Sequence, residues 1–199
     1  MTSLAATWDY RCPFARNAHE HVLAGLDAGA DWDVRFVPFS LGQVHVEEGQ
    51  LPIWERPGDD SGIVALQVGT VVRDDFPDAF RAVHGALFAL RHDEGRDIRD
   101  ESLLRRVLDD HGVDADAVFE RVASGDALET VRSEHSEVAK SHEVWGVPTF
   151  IVGDRAAFIR FMHRPNGDLE VGRRTVSRVV DMLETFPELN EFKHTTLSR

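Results

Sequence analysis

Hydrophobic and polar positions alternate along this chain in blocks of different period, and each block predicts a different element. Residues 3–9 contain a short apolar run, Leu4 to Trp8, and end at Asp9-Tyr10-Arg11, which reads as a strand closed by a turn. Phe14, Ala18, Val22 and Leu26 then recur every fourth residue, one face of a helix, with Gly29 as its C-terminal stop. His19 and Glu20 lie off that stripe and are expected to be exposed. Val34, Arg35, Phe36 and Val37 predict a second strand that stops near Pro38. This β-α-β order implies parallel pairing with a right-handed crossover.

Residues 40–62 show no sustained period and read as a long surface loop. From about Ile63 to His142 the period is helical throughout. Phe80, Val83, Leu87 and Leu90 form a strong apolar face, Leu103, Leu104, Val107 and Leu108 another, and Leu128, Val131, His135 and Val138 a last one. Four or five helices follow one another here without a strand. The strand signal returns at Val147-Pro148-Thr149-Phe150-Ile151-Val152. A Gly153-Asp154 turn and a second strand over 157–162 complete an antiparallel hairpin. Val176, Val179, Val180 and Leu183 predict a closing helix, and 188–199 is a polar tail. The expected division is therefore 1–60 with 144–199 as one α/β domain and 61–143 as an inserted helical subdomain.

Composition narrows the partners. The 199 residues carry a formal net charge of −13, which disfavours nucleic acid and anionic membranes, since both require a basic surface. No apolar run approaches the ~20 residues of a membrane span, and the first residues lack the basic and apolar regions of an export signal. One cysteine excludes an internal disulfide, and this agrees with a reducing compartment. The expectation is a cytoplasmic protein. Ten histidines are present, but their spacings complete no ligand set, and no metal is expected. The acidic pairs Asp59-Asp60 and Asp109-Asp110 read as solvated faces.

The chemistry concentrates on Trp8-Asp9-Tyr10-Arg11-Cys12-Pro13-Phe14-Ala15. Pro13 suits the first position of a helix, where its missing N–H costs nothing. Cys12 then sits at the helix N-terminus, where unpaired N–H groups and the macrodipole favour an anion, a placement that lowers a thiol's pKa. Trp8 and Phe14 flank it as potential walls of an apolar pocket. Arg11 stands next to it, either as a partner for a thiolate or carboxylate or as a solvated surface arginine. A second thiol three residues on would close a disulfide with Cys12, but Ala15 occupies that position.

Two motifs together carry a family resemblance: Cys12-Pro13-Phe14 after a strand, and Trp145-Gly146-Val147-Pro148-Thr149-Phe150 after the helical block. In this order the chain resembles the DsbA-like branch of the thioredoxin fold, a group that also holds 2-hydroxychromene-2-carboxylate isomerases and kappa-class glutathione transferases. The resemblance spans almost the whole chain. It implies an α/β thioredoxin fold (β-α-β, then β-β-α) with an inserted all-helical subdomain. It also implies a cis Val147-Pro148 bond facing Cys12, with the Val147 backbone open to an incoming thiol chain, and a helical region lying over the active face. The family's resolving cysteine does not carry over.

Three readings follow. In the first, the chain is a cytosolic thiol oxidoreductase in which Cys12 passes through a mixed disulfide or a sulfenic acid. Glutathione, mycothiol or a thiol-bearing protein would serve as the second thiol, and no cofactor would be tightly bound. In the second, the same groove (Cys12, Pro13, Phe14, Val147, Pro148, Trp8 and Arg11) binds a small thiol that attacks an electrophile, as in the transferases and isomerases. In the third, the groove binds a partner without catalysis. The two enzymatic readings expect a depressed Cys12 pKa and the third an ordinary one. One of the histidines is a candidate base, and a homodimer is left open.

Overall fold

The computed structural model describes residues 1–194. Strand β1 (Thr2–Trp8) leads into helix α1 (Pro13–Asp27), which returns to strand β2 (Trp32–Pro38). The two strands pair in parallel, in register from Thr2 against Trp32 to Trp8 against Pro38. The loop after β2 is not featureless. It contains a one-turn helix α2 (Leu41–Val44), capped by Ser40, whose hydroxyl accepts from the Gln43 N–H at 3.2 Å, and two single 3-10 turns at Ile53–Glu55 and Pro57–Asp59.

Five helices follow: α3 (Ile63–Asp75), α4 (Pro77–His92), α5 (Glu101–Asp110), α6 (Ala115–Ser124) and α7 (Asp126–Ser141). Their starts obey local chemistry. Asp100 and Asp114 cap α5 and α6 through their carboxylates, and Pro77 opens α4. Strands β3 (Thr149–Val152) and β4 (Arg155–Phe158) form the hairpin, and α8 (Leu169–Thr185) closes the fold. The sheet order is β2-β1-β3-β4, with β3 antiparallel to both neighbours. This is an α/β fold with a helical insertion between its two sheet halves. One hydrophobic core runs from Leu4 and Ala6 through Leu66, Val83 and Leu104 to Phe150 and Val176, joining the sheet side to the helical side.

Two placements differ from the sequence reading. The second hairpin strand is β4 at 155–158 rather than 157–162. The two-residue turn at Gly153-Asp154 sets Arg155 against Val152, and beyond Phe158 the facing residue is Pro148, which has no N–H for the ladder. Ile159 still donates to the Pro148 carbonyl at 3.0 Å. His19, expected at the surface, is fully buried. Helix α1 is covered on more than one side, by the sheet and by α4, so its buried face is wider than its apolar stripe.

Helices α1 and α8 approach closely because Gly172 has no side chain. A Cβ there would stand 2.5 Å from the Ala24 Cβ and 2.9 Å from the His21 carbonyl oxygen. Gly172→Ala is expected to destabilise the protein by about 1–2 kcal/mol, because overpacking outweighs the better helix propensity of alanine. Urea unfolding would show it as a lower midpoint at unchanged slope. An unchanged or higher midpoint would mean that α8 shifts at no cost.

Candidate active site

The β1–α1 turn is held from below by Asp9, which is buried. Its carboxylate accepts from the Arg11 backbone N–H at 2.9 Å, from the Arg11 guanidinium at 2.8 Å and from the Leu41 N–H at 2.9 Å. Arg11 also pairs with Asp60 at 3.1 Å. Asp60 is itself buried and accepts from the Gly62 N–H at 2.6 Å. Arg11 is therefore not a solvated surface arginine, nor is Asp60 part of a solvated acidic face. The two close a buried clamp that fixes the loop before α3 to the turn before the thiol. Both carboxylates are committed to Arg11, whose charge is thereby neutralised locally. Burial opposes that charge, but hydrogen bonds and charge from Asp9 and Asp60 outweigh burial and raise its pKa.

Cys12 is the N-cap of α1, with Pro13 following at the helix start. Its sulfur accepts from the Ala15 N–H at 3.4 Å, and its S–H donates to the Val147 carbonyl, also at 3.4 Å. Val147 and Pro148 are joined by a cis peptide bond and are buried. Pro13 is exposed and Phe14 half-buried. Thus Cys12, Val147 and Pro148 meet at one point from opposite ends of the chain, with Pro13 and Phe14 at the mouth.

Trp8 does not join them. It is fully buried, packed edge-on against His84 at 5.2 Å and near Tyr10, His19 and Phe80. It is core rather than pocket wall, because β1 runs inside the sheet and its ring is enclosed by the aromatic side chains of the turn, α1 and α4.

The thiol's acidity also differs from expectation. Cys12 is only 8 % exposed, and its pKa is raised. Burial is the main cause, the N–H groups of Ala15 and Phe14 pull the other way, and the Asp9 charge adds to the rise. The Val147 carbonyl acts in the same sense as burial, since it accepts from S–H and would repel a thiolate. A helix N-terminus lowers a thiol's pKa only where the sulfur keeps enough solvent or positive charge, and here the nearby cation is already spent on Asp9 and Asp60. Alkylation of Cys12 by iodoacetamide should therefore rise with pH about a midpoint above ~8.5, the ordinary thiol value. A midpoint below that would show that the helix N–H groups dominate.

The sequence leaves open which histidine could serve as a base, and His92 donates to the Tyr10 carbonyl at 2.9 Å. Three other polar rings form a buried chain behind the site. His19 Nε2 lies 3.1 Å from the Thr7 carbonyl, His84 Nε2 lies 2.9 Å from His19 Nδ1, and the Tyr10 hydroxyl lies 2.8 Å from His84 Nδ1. The carbonyl can only accept, so His19 carries its proton on Nε2. His84 then donates from Nε2, and Tyr10 donates to His84 Nδ1. Both imidazoles are neutral. Burial lowers the His19 pKa to about 4, lowers that of His84 well below the ordinary imidazole value, and raises that of Tyr10. Helix α3 accommodates Tyr10 through Gly69, where a Cβ would fall 2.2 Å from the hydroxyl oxygen. No periodicity signals this chain, since its members lie on β1, the turn, α1 and α4.

The β2-β1-β3-β4 sheet, with a thiol capping its first helix, a cis-proline loop opposite and helices inserted between the sheet halves, is a thioredoxin fold with a helical insertion. Residues 71–165 match the family described as DSBA-like thioredoxin domain, a match that covers the helical block and hairpin but begins after Cys12. Among curated proteins, the uncharacterized protein Rv2286c of Mycobacterium tuberculosis is 27% identical over 161 residues, covering 79% of this chain and 67% of that protein. Among solved structures, a 2-hydroxychromene-2-carboxylate isomerase is similar at a TM-score of 0.60 and 17% identity, covering 90% of this chain and 97% of that one. The cytosolic disulfide reductase DsbM from Pseudomonas aeruginosa, solved with GSH, is similar at a TM-score of 0.60 and 15% identity, covering 89% and 98%. Among the described residues no helix is long and apolar enough to cross a membrane.

Proposed function

We propose that this chain is a cytosolic thiol–disulfide oxidoreductase that works through one sulfur, Cys12, with a low-molecular-weight thiol or a thiol-bearing protein as second reactant. The observation that carries this reading is the position of the Cys12 sulfur. It caps α1, faces the Val147 carbonyl beside Pro148, and has no second cysteine in the chain to pair with. In the first half-reaction the Cys12 thiolate attacks one sulfur of a disulfide. A bond forms from Cys12 to that sulfur, and the other half leaves as a thiolate. In the second, an external thiolate attacks the outer sulfur of the mixed disulfide and Cys12 departs, taking up a proton. One half of the original disulfide is thereby released as a thiol, the other half ends in a disulfide with the external thiol, which is oxidised, and Cys12 returns unchanged. Because its thiolate is the minor form at neutral pH, turnover should increase as pH rises. Incubation with glutathione disulfide is the test. A single covalent adduct at Cys12, removed again by excess thiol, supports the reading, and absence of the adduct refutes it.

A second reading rests on the buried Cys12 sulfur, whose S–H faces the Val147 carbonyl and whose pKa is raised by burial. A sulfur that stays protonated can donate its S–H to a bound thiolate, and that thiolate can attack an electrophile without redox change at Cys12. This reading draws on the similarity to the isomerase. It expects saturable thiol binding with no covalent adduct, so the same incubation separates the two.

A further inference from the structure

The rim of the thiol site carries a cation that the mechanism above leaves unused. Arg160 lies just beyond β4 and is exposed. Its guanidinium carbon stands 5.5 Å from the ring centre of Phe14 and 6.0 Å from that of Phe158. Phe14 is two residues past Cys12. Phe158 belongs to the hairpin whose next residue, Ile159, bonds the Pro148 carbonyl. Arg160 thus spans the two segments that hold the sulfur between them. The Phe158 ring also packs on Trp145 at 4.5 Å, and Trp145 is 63 % exposed two residues before Val147. One face of the indole rests on Phe158, and much of the rest is apolar surface open to solvent, two residues before the Val147 whose carbonyl the sulfur faces.

The charges around the site give Arg160 its meaning. Arg11, the cation adjacent to the thiol in sequence, is neutralised by Asp9 and Asp60. Arg160 has no carboxylate partner among the described residues, in a chain of net charge −13. Rings packed near a guanidinium strip water from it and leave its N–H edge available, and that edge matches a carboxylate in a two-point contact.

We propose that Arg160 selects thiols that bear a carboxylate, holding that group at the rim while Trp145 covers the apolar part of the molecule and the thiol reaches the Cys12 mixed disulfide. This rests on the oxidoreductase reading and names its substrate class. In the step concerned, the incoming thiolate forms a bond to the outer sulfur of the mixed disulfide. The bond from that sulfur to Cys12 breaks, and Cys12 leaves with the electron pair and is protonated. Arg160 takes no part in the electron transfer; it raises the local concentration of the attacking thiol and sets its direction.

The test uses the full chain with Cys12 first converted to its mixed disulfide with 2-mercaptoethanol. Its resolution is followed by mass spectrometry with three thiols: glutathione, the glutathione diethyl ester and 2-mercaptoethanol. Each rate is taken as the ratio of Arg160→Gln to the unaltered protein, so intrinsic differences among the thiols cancel. The expected result is a loss of about three- to tenfold for glutathione, the size of one exposed charge-assisted contact, with the ester and 2-mercaptoethanol within about twofold. The loss should shrink at high salt, and Arg160→Lys should restore part of the rate. Equal losses for all three thiols would show that Arg160 only shapes the rim, and no loss for glutathione would show that it binds no carboxylate. Either outcome overturns the proposal while the oxidoreductase reading stands. If the unaltered protein forms or resolves no mixed disulfide with any thiol, both fail together.

Discussion

Cys12→Ser is expected to reduce disulfide exchange to the uncatalysed background, a loss of roughly 10³-fold or more, the scale seen when an enzyme's nucleophile is removed. The loss would be chemical rather than structural. Serine is close to cysteine in size and is a strongly preferred N-cap, so the hydroxyl can accept from the Ala15 N–H in place of the sulfur and α1 keeps its start. What disappears is a polarisable sulfur that can become a thiolate. The hydroxyl is far less acidic and forms no disulfide. Unfolding by urea should therefore show a midpoint close to that of the unaltered protein, while the adduct with glutathione disulfide vanishes. Retained exchange in Cys12→Ser would refute the proposed function outright. Retained thiol binding with no exchange in either protein would favour the transferase or isomerase reading.

The protein is also expected to lose stability steeply on acidification. His19, His84 and His135 are buried and their pKa values are lowered, chiefly by burial, to about 4 for His19 and His135. Around the first two stand Tyr10, the rings of Trp8, Phe36, Phe80 and Phe88, and Arg73 over the Trp8 ring. His135 stacks on Phe39 at 4.0 Å and abuts Trp54, and only Asp9 favours its charged form.

Below about pH 6.5 the unfolded chain takes up protons on these rings and the folded chain does not. Their contribution is complete above that pH and is lost as pH falls from about 6.5 toward 4. A lowering from 6.5 to about 4 corresponds to at most about 3 kcal/mol for each of His19 and His135, and His84 adds in the same direction, against a total stability on the order of 5–15 kcal/mol. Two or three such rings are enough to unfold the domain, with a midpoint of about pH 4 to 6. Urea midpoints measured from pH 7.5 downward should fall with a slope of two or more protons. Stability that is flat to pH 4 would show that these rings are not held neutral.

His84→Leu sharpens the point. It strands the Tyr10 hydroxyl and His19 Nδ1 inside the core, so it should cost about 2–5 kcal/mol at neutral pH. It should also remove one proton from the slope.

Much of the architecture was legible from local signals. The β-α-β start, the run of helices, the hairpin and the closing helix each follow from a hydrophobic period, a cap or a turn within a few residues. So does the key chemical fact, one cysteine followed by proline at a helix start, with Ala15 where a resolving thiol would stand. These features persist in any packing of the chain, because they are properties of neighbouring residues.

The site's character depends on contacts between distant ones. Trp8 reads as a pocket wall in the sequence and is core in the fold, because β1 runs inside the sheet and aromatic side chains of the turn, α1 and α4 enclose its ring. Arg11 reads either as a partner for a thiolate or carboxylate or as a surface charge, and it is clamped, because Asp60 returns to it from a loop with no periodicity. His19 reads as exposed and is fully buried, because α4 covers a side of α1 that its apolar stripe does not mark. The sulfur reads as acidified by the helix end and is held protonated, because burial and the Val147 carbonyl outweigh two backbone N–H groups. Arg160, absent from any motif, stands over Phe14 only because the hairpin folds back beside α1. Sequence alone thus determined that there is one thiol at the head of a helix and that no second cysteine of the chain can close a disulfide with it. Tertiary structure decided the dielectric and the charges around that thiol, since both are set by residues that meet only when the chain is folded.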